Sequence, residues 1–243
     1  MEVLRVERDR PAPAAIASAA AVLRAGGLVA FPTETVYGLG ADARREDAVR
    51  AVFAAKGRPA DNPLIVHVAD AAGLGAVAAS VPPLAARLAE RFWPGPLTLV
   101  VDAAPAVPAV TTGGLATVAV RVPDHPVALA LLRAADLPVA APSANRSGRP
   151  SPTTGAHVVE DLAASGVALL LDAGPSGIGI ESTVVDARGA APVVLREGAI
   201  SREDLGGALV AQGSPASPGT RYRHYAPACR VELVARGQGR KRA

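Results

Sequence analysis

Short apolar runs alternate with longer Ala- and Leu-rich segments along most of this chain, and that alternation limits the fold more than any other feature. The apolar runs are four to six residues long, which suits buried strands rather than helices. They are predicted at Leu28–Phe31, Leu64–Val68, Leu97–Val101, Thr117–Val122, Pro138–Ala141, Ala168–Asp172, Thr183–Asp186 and Val193–Arg196. Helices are predicted at Pro13–Ala25, Glu46–Ala55, Leu84–Phe92, His125–Ala134, Thr154–Ala164 and Ser201–Leu209. The first ends at Gly26-Gly27, a common helix stop. Ser201 and Asp204 are spaced to cap the last. Sequential strands near the end of the pattern favour an open, mixed α/β sheet over a purely parallel one.

Aromatic residues make up only 3% of the 243 residues, so Ala, Val, Leu and Ile must build the core. No apolar run reaches the roughly 20 residues of a membrane helix, and the first residues lack the layout of a secretory signal. The one cysteine, Cys229, excludes an internal disulfide and a cysteine-based zinc site. These features together point to the cytoplasm.

Charge is unevenly placed. Residues 213–243 carry seven basic side chains and one acid, leaving 18 basic and 21 acidic residues in the body. The pI of ≈ 9.5 therefore comes from the tail, and a body built to coat nucleic acid is not supported. The composition divides the chain into a main domain over 1–212, a linker over 213–229 and a basic tail over 230–243. Within the last stretch Cys229–Ala235 reads as one strand.

Four polar segments follow strands or helices and could carry chemistry. Pro32 to Leu39 comes directly after a strand, where open α/β sheets bind ligands, although an ordinary polar turn has the same composition. Lys56-Gly57-Arg58-Pro59-Ala60-Asp61-Asn62-Pro63 places two cations around a glycine. Arg58 can fork onto a phosphate while Lys56 acts as a point charge, or both can simply neutralise a helix C-terminus. Ser143, Asn145 and Ser151 lie in a polar stretch too long for a tight turn. Ser182 starts a strand after the glycines 177 and 179. Arg121 sits inside an apolar strand and needs an anionic partner, either a substrate carboxylate or an internal acid. His67, also in an apolar strand, is by itself more typical of a core histidine. No Walker loop, nucleotide-binding G-x-G-x-x-G, nucleophile elbow or metal-ligand spacing is present.

Taken in order over roughly residues 15 to 210, these segments resemble the threonylcarbamoyl-adenylate synthase family with the YrdC-like fold. The resemblance rests on F-P-T-E-T-V-Y-G-L-G, K-G-R-P-x-x-N-P-L, F-W-P-G-P-L-T, V-A-V-R-V-P, P-S-A-N-x-S-G, E-S-T-V-V and L-R-E-G-A. Ser217 to Pro227 resembles the linker of the family's long form. The resemblance implies that 1–212 is a catalytic domain and 230–243 a basic tail or the start of a truncated C-terminal domain. The resemblance implies a twisted mixed sheet flanked by helices, with a concave active-site cleft. It also implies that L-threonine, bicarbonate and ATP give threonylcarbamoyl-AMP and pyrophosphate, the first step of tRNA threonylcarbamoyladenosine formation. Thr35, His67, Arg121, Ala141 and Ser182 would hold threonine. Arg58, Asn62, Thr117, Ser143, Asn145, Ser151, Arg196 and Tyr225 would hold ATP, with Lys56 and Arg58 at the reacting groups. Mg2+ would arrive on the ATP phosphates, without a tightly bound metal liganded by the protein. Other proteins would transfer the product to tRNA, with at most a weak tRNA contact by this chain. The alternative is an RNA-binding or nucleotide-sensing module of the same fold without synthase activity. If both cations serve the reaction, Lys56→Ala and Arg58→Ala are expected to abolish turnover with the fold intact.

Overall fold

The computed structural model describes residues 1–211; Tyr225, the linker and the tail lie outside the described residues. The chain runs β1 (Glu2–Arg5), α1 (Pro13–Arg24), β2 (Val29–Phe31), β3 (Gly38–Asp42), α2 (Glu46–Lys56) and β4 (Ile65–His67). A 3-10 turn (Ala71–Ala76) leads to α3 (Pro83–Phe92), β5 (Leu97–Asp102), α4 (Ala109–Thr112) and β6 (Thr117–Arg121). Then come α5 (Pro126–Ala135), β7 (Val139–Ala140), α6 (Gly155–Leu162), β8 (Leu169–Asp172), β9 (Thr183–Asp186), β10 (Val193–Arg196) and β11 (Leu209–Val210).

The strands form one mixed sheet in the order β1-β8-β2-β3-β7-β4-β6-β5-β9-β10-β11. β4 runs parallel to β6 with His67 opposite Arg121, and antiparallel to β7 with His67 opposite Val139. Paired residues share a face, and so do residues two apart along a strand. Val139, His67, Arg121, Ile65 and Ala119 therefore all stand on the same side of the sheet.

On this side α1 and α5 pack together over β2, β7 and β8. They bury Leu23, Phe31, Leu131, Val139 and Leu171 in one cluster. The stripe Ile16, Ala19, Ala20 and Leu23 of α1 has helical spacing and points inward, and Pro13 begins the helix where no N–H is needed. Further along the same face, Ile65, Val100, Ala119, Val184 and Leu195 form a smaller apolar floor. The opposite face carries the largest cluster, built from α2, α3 and the outward residues of the central strands.

Three local expectations are corrected. The helix predicted at Ser201–Leu209 does not form. Ser201 and Asp204 do make reciprocal bonds, with the Asp204 amide donating to Ser201 Oγ at 3.1 Å, but Gly206 and Gly207 take positive φ and stop the turn. β1 was not anticipated; it pairs in parallel with β8. β3 also lies partly in what reads as a polar turn. Gly40 belongs inside a strand because a Cβ there would come within 2.8 Å of Val139 and 2.9 Å of Phe31. The chain needs a bare backbone where two strands press that closely on a ring.

Candidate active site

A cleft open to solvent lies on the sheet face that carries Ile65, His67 and Arg121. Its floor is Ile65 and His67 of β4 and Arg121 of β6. The walls are the loop after β2 (Thr33, Thr35, Val36, Tyr37), the loop after β7 (Ala141, Pro142, Ser143) and the approach to β9 (Glu181, Ser182). Arg58, Pro63 and Arg196 close one end. The expected residues Thr35, Arg58, His67, Arg121, Ala141, Ser143, Ser182 and Arg196 are thus brought to one cavity from seven separate stretches of chain.

Arg121 is buried, and its guanidinium is already engaged. Nε donates to the Gly95 carbonyl at 3.1 Å and Nη1 to Thr35 Oγ1 at 3.0 Å. Nη2 lies 2.6 Å from the Glu34 carboxylate. The internal acid is therefore one partner of this strand arginine. The angle at that contact is not that of an aligned hydrogen bond. Nη2 and both Glu34 oxygens have no hydrogen-bond partner among the described residues, so the attraction is Coulombic. Thr33 Oγ1 fixes the loop by donating to the Val36 carbonyl and pairing with Thr35 Oγ1.

His67 is buried beside Arg121, edge-on to Phe31 with ring centroids 6.1 Å apart. Burial, and then the Arg121 charge, hold it down at about 3, against the pull of the Ile65 and Val139 carbonyls. It is a neutral imidazole at physiological pH, and its Nδ1 has no partner among the described residues. A buried polar atom without a partner at a cleft floor is a natural contact for a small polar ligand.

At the other end, Arg58 follows Gly57, whose left-handed φ of 60° ends α2 and turns the chain. A Cβ on Gly57 would meet nothing within 4 Å, so glycine serves the turn rather than a close approach. The Arg58 guanidinium donates to the Pro63 carbonyl at 3.1 Å and still lines the cleft. Burial pushes it down to about 10, against Glu181. Arg196 pairs with Glu181 at 2.6 Å and donates to the Ser182 carbonyl at 2.8 Å. Ser182 Oγ is 2.8 Å from Thr98 Oγ1.

Other expected residues stand back from the cavity. Lys56 is buried, and its ammonium donates to the Ser143 and Asn145 carbonyls and to Asn145 Oδ1. Burial, then Arg58, push it down to about 7. Asn145 turns inward too, receiving Ser143 Oγ at 2.6 Å and donating to the Arg146 and Arg149 carbonyls. Lys56 and Asn145 together are a brace beneath the Ser143 wall. Asn62 is buried, its carbonyl receiving Arg58 Nε at 3.4 Å. Thr117 begins β6, opposite Asp102, four residues from Arg121 at the strand's other end. Ser151 reaches the cleft indirectly by donating to Glu181 Oε1 at 2.9 Å.

Glu34 and Glu181 are the residues that sequence reasoning passed over. Both lie inside segments already singled out. Only Glu34 had a signal, the unmet charge of Arg121.

The second buried histidine, His125, accepts from the Val127 amide at the start of α5. Burial, then Arg8, hold it down at about 4. Both histidines bind protons in the unfolded chain near pH 6.5 but not in the fold, so stability falls as pH drops below about 6.5. At pH 5 the loss is about 2 kcal/mol per histidine. Urea unfolding should show a drop of about 4 kcal/mol between pH 7 and pH 5. His125→Asn, which keeps a capping acceptor, should remove about half of it; a pH-independent stability would contradict these assignments.

Comparison with known proteins agrees with this geometry. The Sua5/YciO/YrdC family model, described as "Telomere recombination", matches residues 21–198. A model described as the C-terminal domain of threonylcarbamoyl-AMP synthase matches residues 190–243, which takes in the region read above as linker and tail and the last residues before it. The threonylcarbamoyl-AMP synthase of Bacillus subtilis is 52% identical over 223 residues, 87% of this chain and 64% of that protein. The chain therefore spans just under two thirds of that relative. A solved structure of Pyrococcus abyssi Sua5 complexed with L-threonine is 47% identical, with a TM-score of 0.88 over 93% of this chain and 69% of that one. Escherichia coli YciO, at 24% identity and a TM-score of 0.76 over 84% of this chain and all of that one, shares the fold. On sequence and on structure alike, the chain belongs to the Sua5/YciO/YrdC family.

Proposed function

We propose that this protein makes threonylcarbamoyl-AMP from L-threonine, bicarbonate and MgATP and releases pyrophosphate. The observation that carries the reading is one cleft with a guanidinium and a neutral imidazole on its floor, the hydroxyls of Thr35 and Ser182 on its walls and two further arginines at its end. The first set suits a small hydroxy amino acid, with its carboxylate at Arg121 and its polar groups at Thr35, His67, the Ala141 backbone and Ser182. The second set suits a polyphosphate, with Arg58 and Arg196 as donors and Ser143 beside them. Asn62, Thr117, Ser151 and Tyr225 complete the nucleotide site in this reading. Lys56 and Asn145 act at one remove, by bracing the Ser143 wall.

Catalysis is positioning and charge stabilisation. The neutral amine of threonine adds to carbon dioxide and gives up a proton to solvent, or to bicarbonate with loss of water, and the resulting carbamate oxygen attacks the α-phosphorus of ATP. Pyrophosphate leaves as the P–O bond to it breaks, and the arginines take up the charge that develops there. Partner proteins then pass the threonylcarbamoyl group to adenosine in tRNA, in the cytoplasm, with at most a weak tRNA contact by this chain. Among the described residues no helix is long and apolar enough to cross a membrane.

Pyrophosphate release should require threonine, bicarbonate and ATP together. Turnover that persists when threonine or bicarbonate is omitted would refute the reading.

A further inference from the structure

Glu34 is a buried carboxylate for which the proposed chemistry has no use so far. Its side chain is only 8% exposed, lies 2.6 Å from Arg121 Nη2 and does not line the cleft. Arg121 does line it. Two of the three guanidinium nitrogens are held by the Gly95 carbonyl and Thr35 Oγ1, and the third faces Glu34. The adjacent His67 is a neutral ring. Around Arg121, then, the cationic charge of the cleft floor is already balanced from behind.

That balance determines what can be seated there. A plain carboxylate arriving at Arg121 would leave two negative charges against one positive in a poorly solvated place. A ligand with an ammonium next to its carboxylate brings its own counter-charge. We infer that Glu34 makes the Arg121 site electrically neutral and so selects a zwitterionic α-amino acid over an anion of the same shape. The inference rests on the proposal that threonine binds at Arg121. Glu34 acts through Arg121 and through its field, so it is a positioning and specificity residue rather than a catalytic one. Charge pairs at such separations in a partly buried site are worth a factor of about ten or more in affinity.

The test is calorimetric titration of the full chain with L-threonine and with the matching enantiomer of 3-hydroxybutyrate, which is threonine without its amine. The unaltered protein should bind threonine at least about tenfold more tightly. In Glu34→Gln, threonine should weaken and 3-hydroxybutyrate should strengthen, so that the preference shrinks by about tenfold or more. Glu34→Asp keeps the charge and should keep the preference. If Glu34→Gln weakens both ligands by the same factor, Glu34 only scaffolds Arg121 and the inference is overturned while the threonine reading stands. If the unaltered protein binds neither ligand, the threonine reading falls and the inference with it. Should Glu34→Gln not fold, the unaltered protein and Glu34→Asp still decide: binding of both ligands within about threefold in either would overturn the inference.

Discussion

Arg58→Ala is expected to slow threonine- and bicarbonate-dependent pyrophosphate release by about a hundredfold or more while the protein stays folded. Removing one preorganised donor from a site of developing charge typically costs two to three orders of magnitude, about 3–4 kcal/mol. Arg58 lines the cleft, and its guanidinium donates to the Asn62 and Pro63 carbonyls. Loss of these bonds should cost about 1–2 kcal/mol of stability. Arg58→Lys would restore the charge without the fork and should recover part of the rate. A wild-type rate in Arg58→Ala would place the phosphates elsewhere.

Lys56→Ala is expected to behave differently, losing stability and activity together. Its ammonium serves the Ser143 and Asn145 carbonyls and Asn145 Oδ1, so truncation leaves several buried acceptors short of a donor. Each such group costs about 1–3 kcal/mol, and the sum should lower unfolding free energy by about 3–5 kcal/mol. Because Ser143 is a cleft wall, KM for ATP should rise as well. Lys56→Met keeps the aliphatic volume without the donors, and it should lose nearly as much. If Lys56→Met melts like the unaltered protein, the brace is not what Lys56 provides. The sequence alone leads to an expected intact fold for both alanine variants; the bonding of the two side chains changes that expectation for Lys56.

Spacing and composition made the alternating architecture legible, and the bounds of β9 and β10 could be read directly because β-branched runs stand between turn residues. β3 was not legible, since Gly38 and Gly40 signal a turn locally; in the fold Phe31 lies against both, with Ala141 beside Gly38 and Val139 beside Gly40. The helix after Ser201 failed for the opposite reason. Its cap is real, but two glycines with positive φ cancel it within one turn. At the site, the residue types were visible and their directions were not. Arg58 and Lys56 are two residues apart in sequence, yet one lines the cleft and the other faces buried carbonyls. His67 shows the same limit. An apolar strand around a histidine describes a core residue equally well as one facing a cleft. Only the register that sets it opposite Arg121 separates the two.

The most direct measurement is mass spectrometry of the nucleotide products formed from ATP, L-threonine and 13C-bicarbonate. The expected product is an adenylate that contains threonine and one labelled carbon, formed in equal amount with pyrophosphate. Pyrophosphate or AMP appearing with no labelled threonine adduct would contradict it.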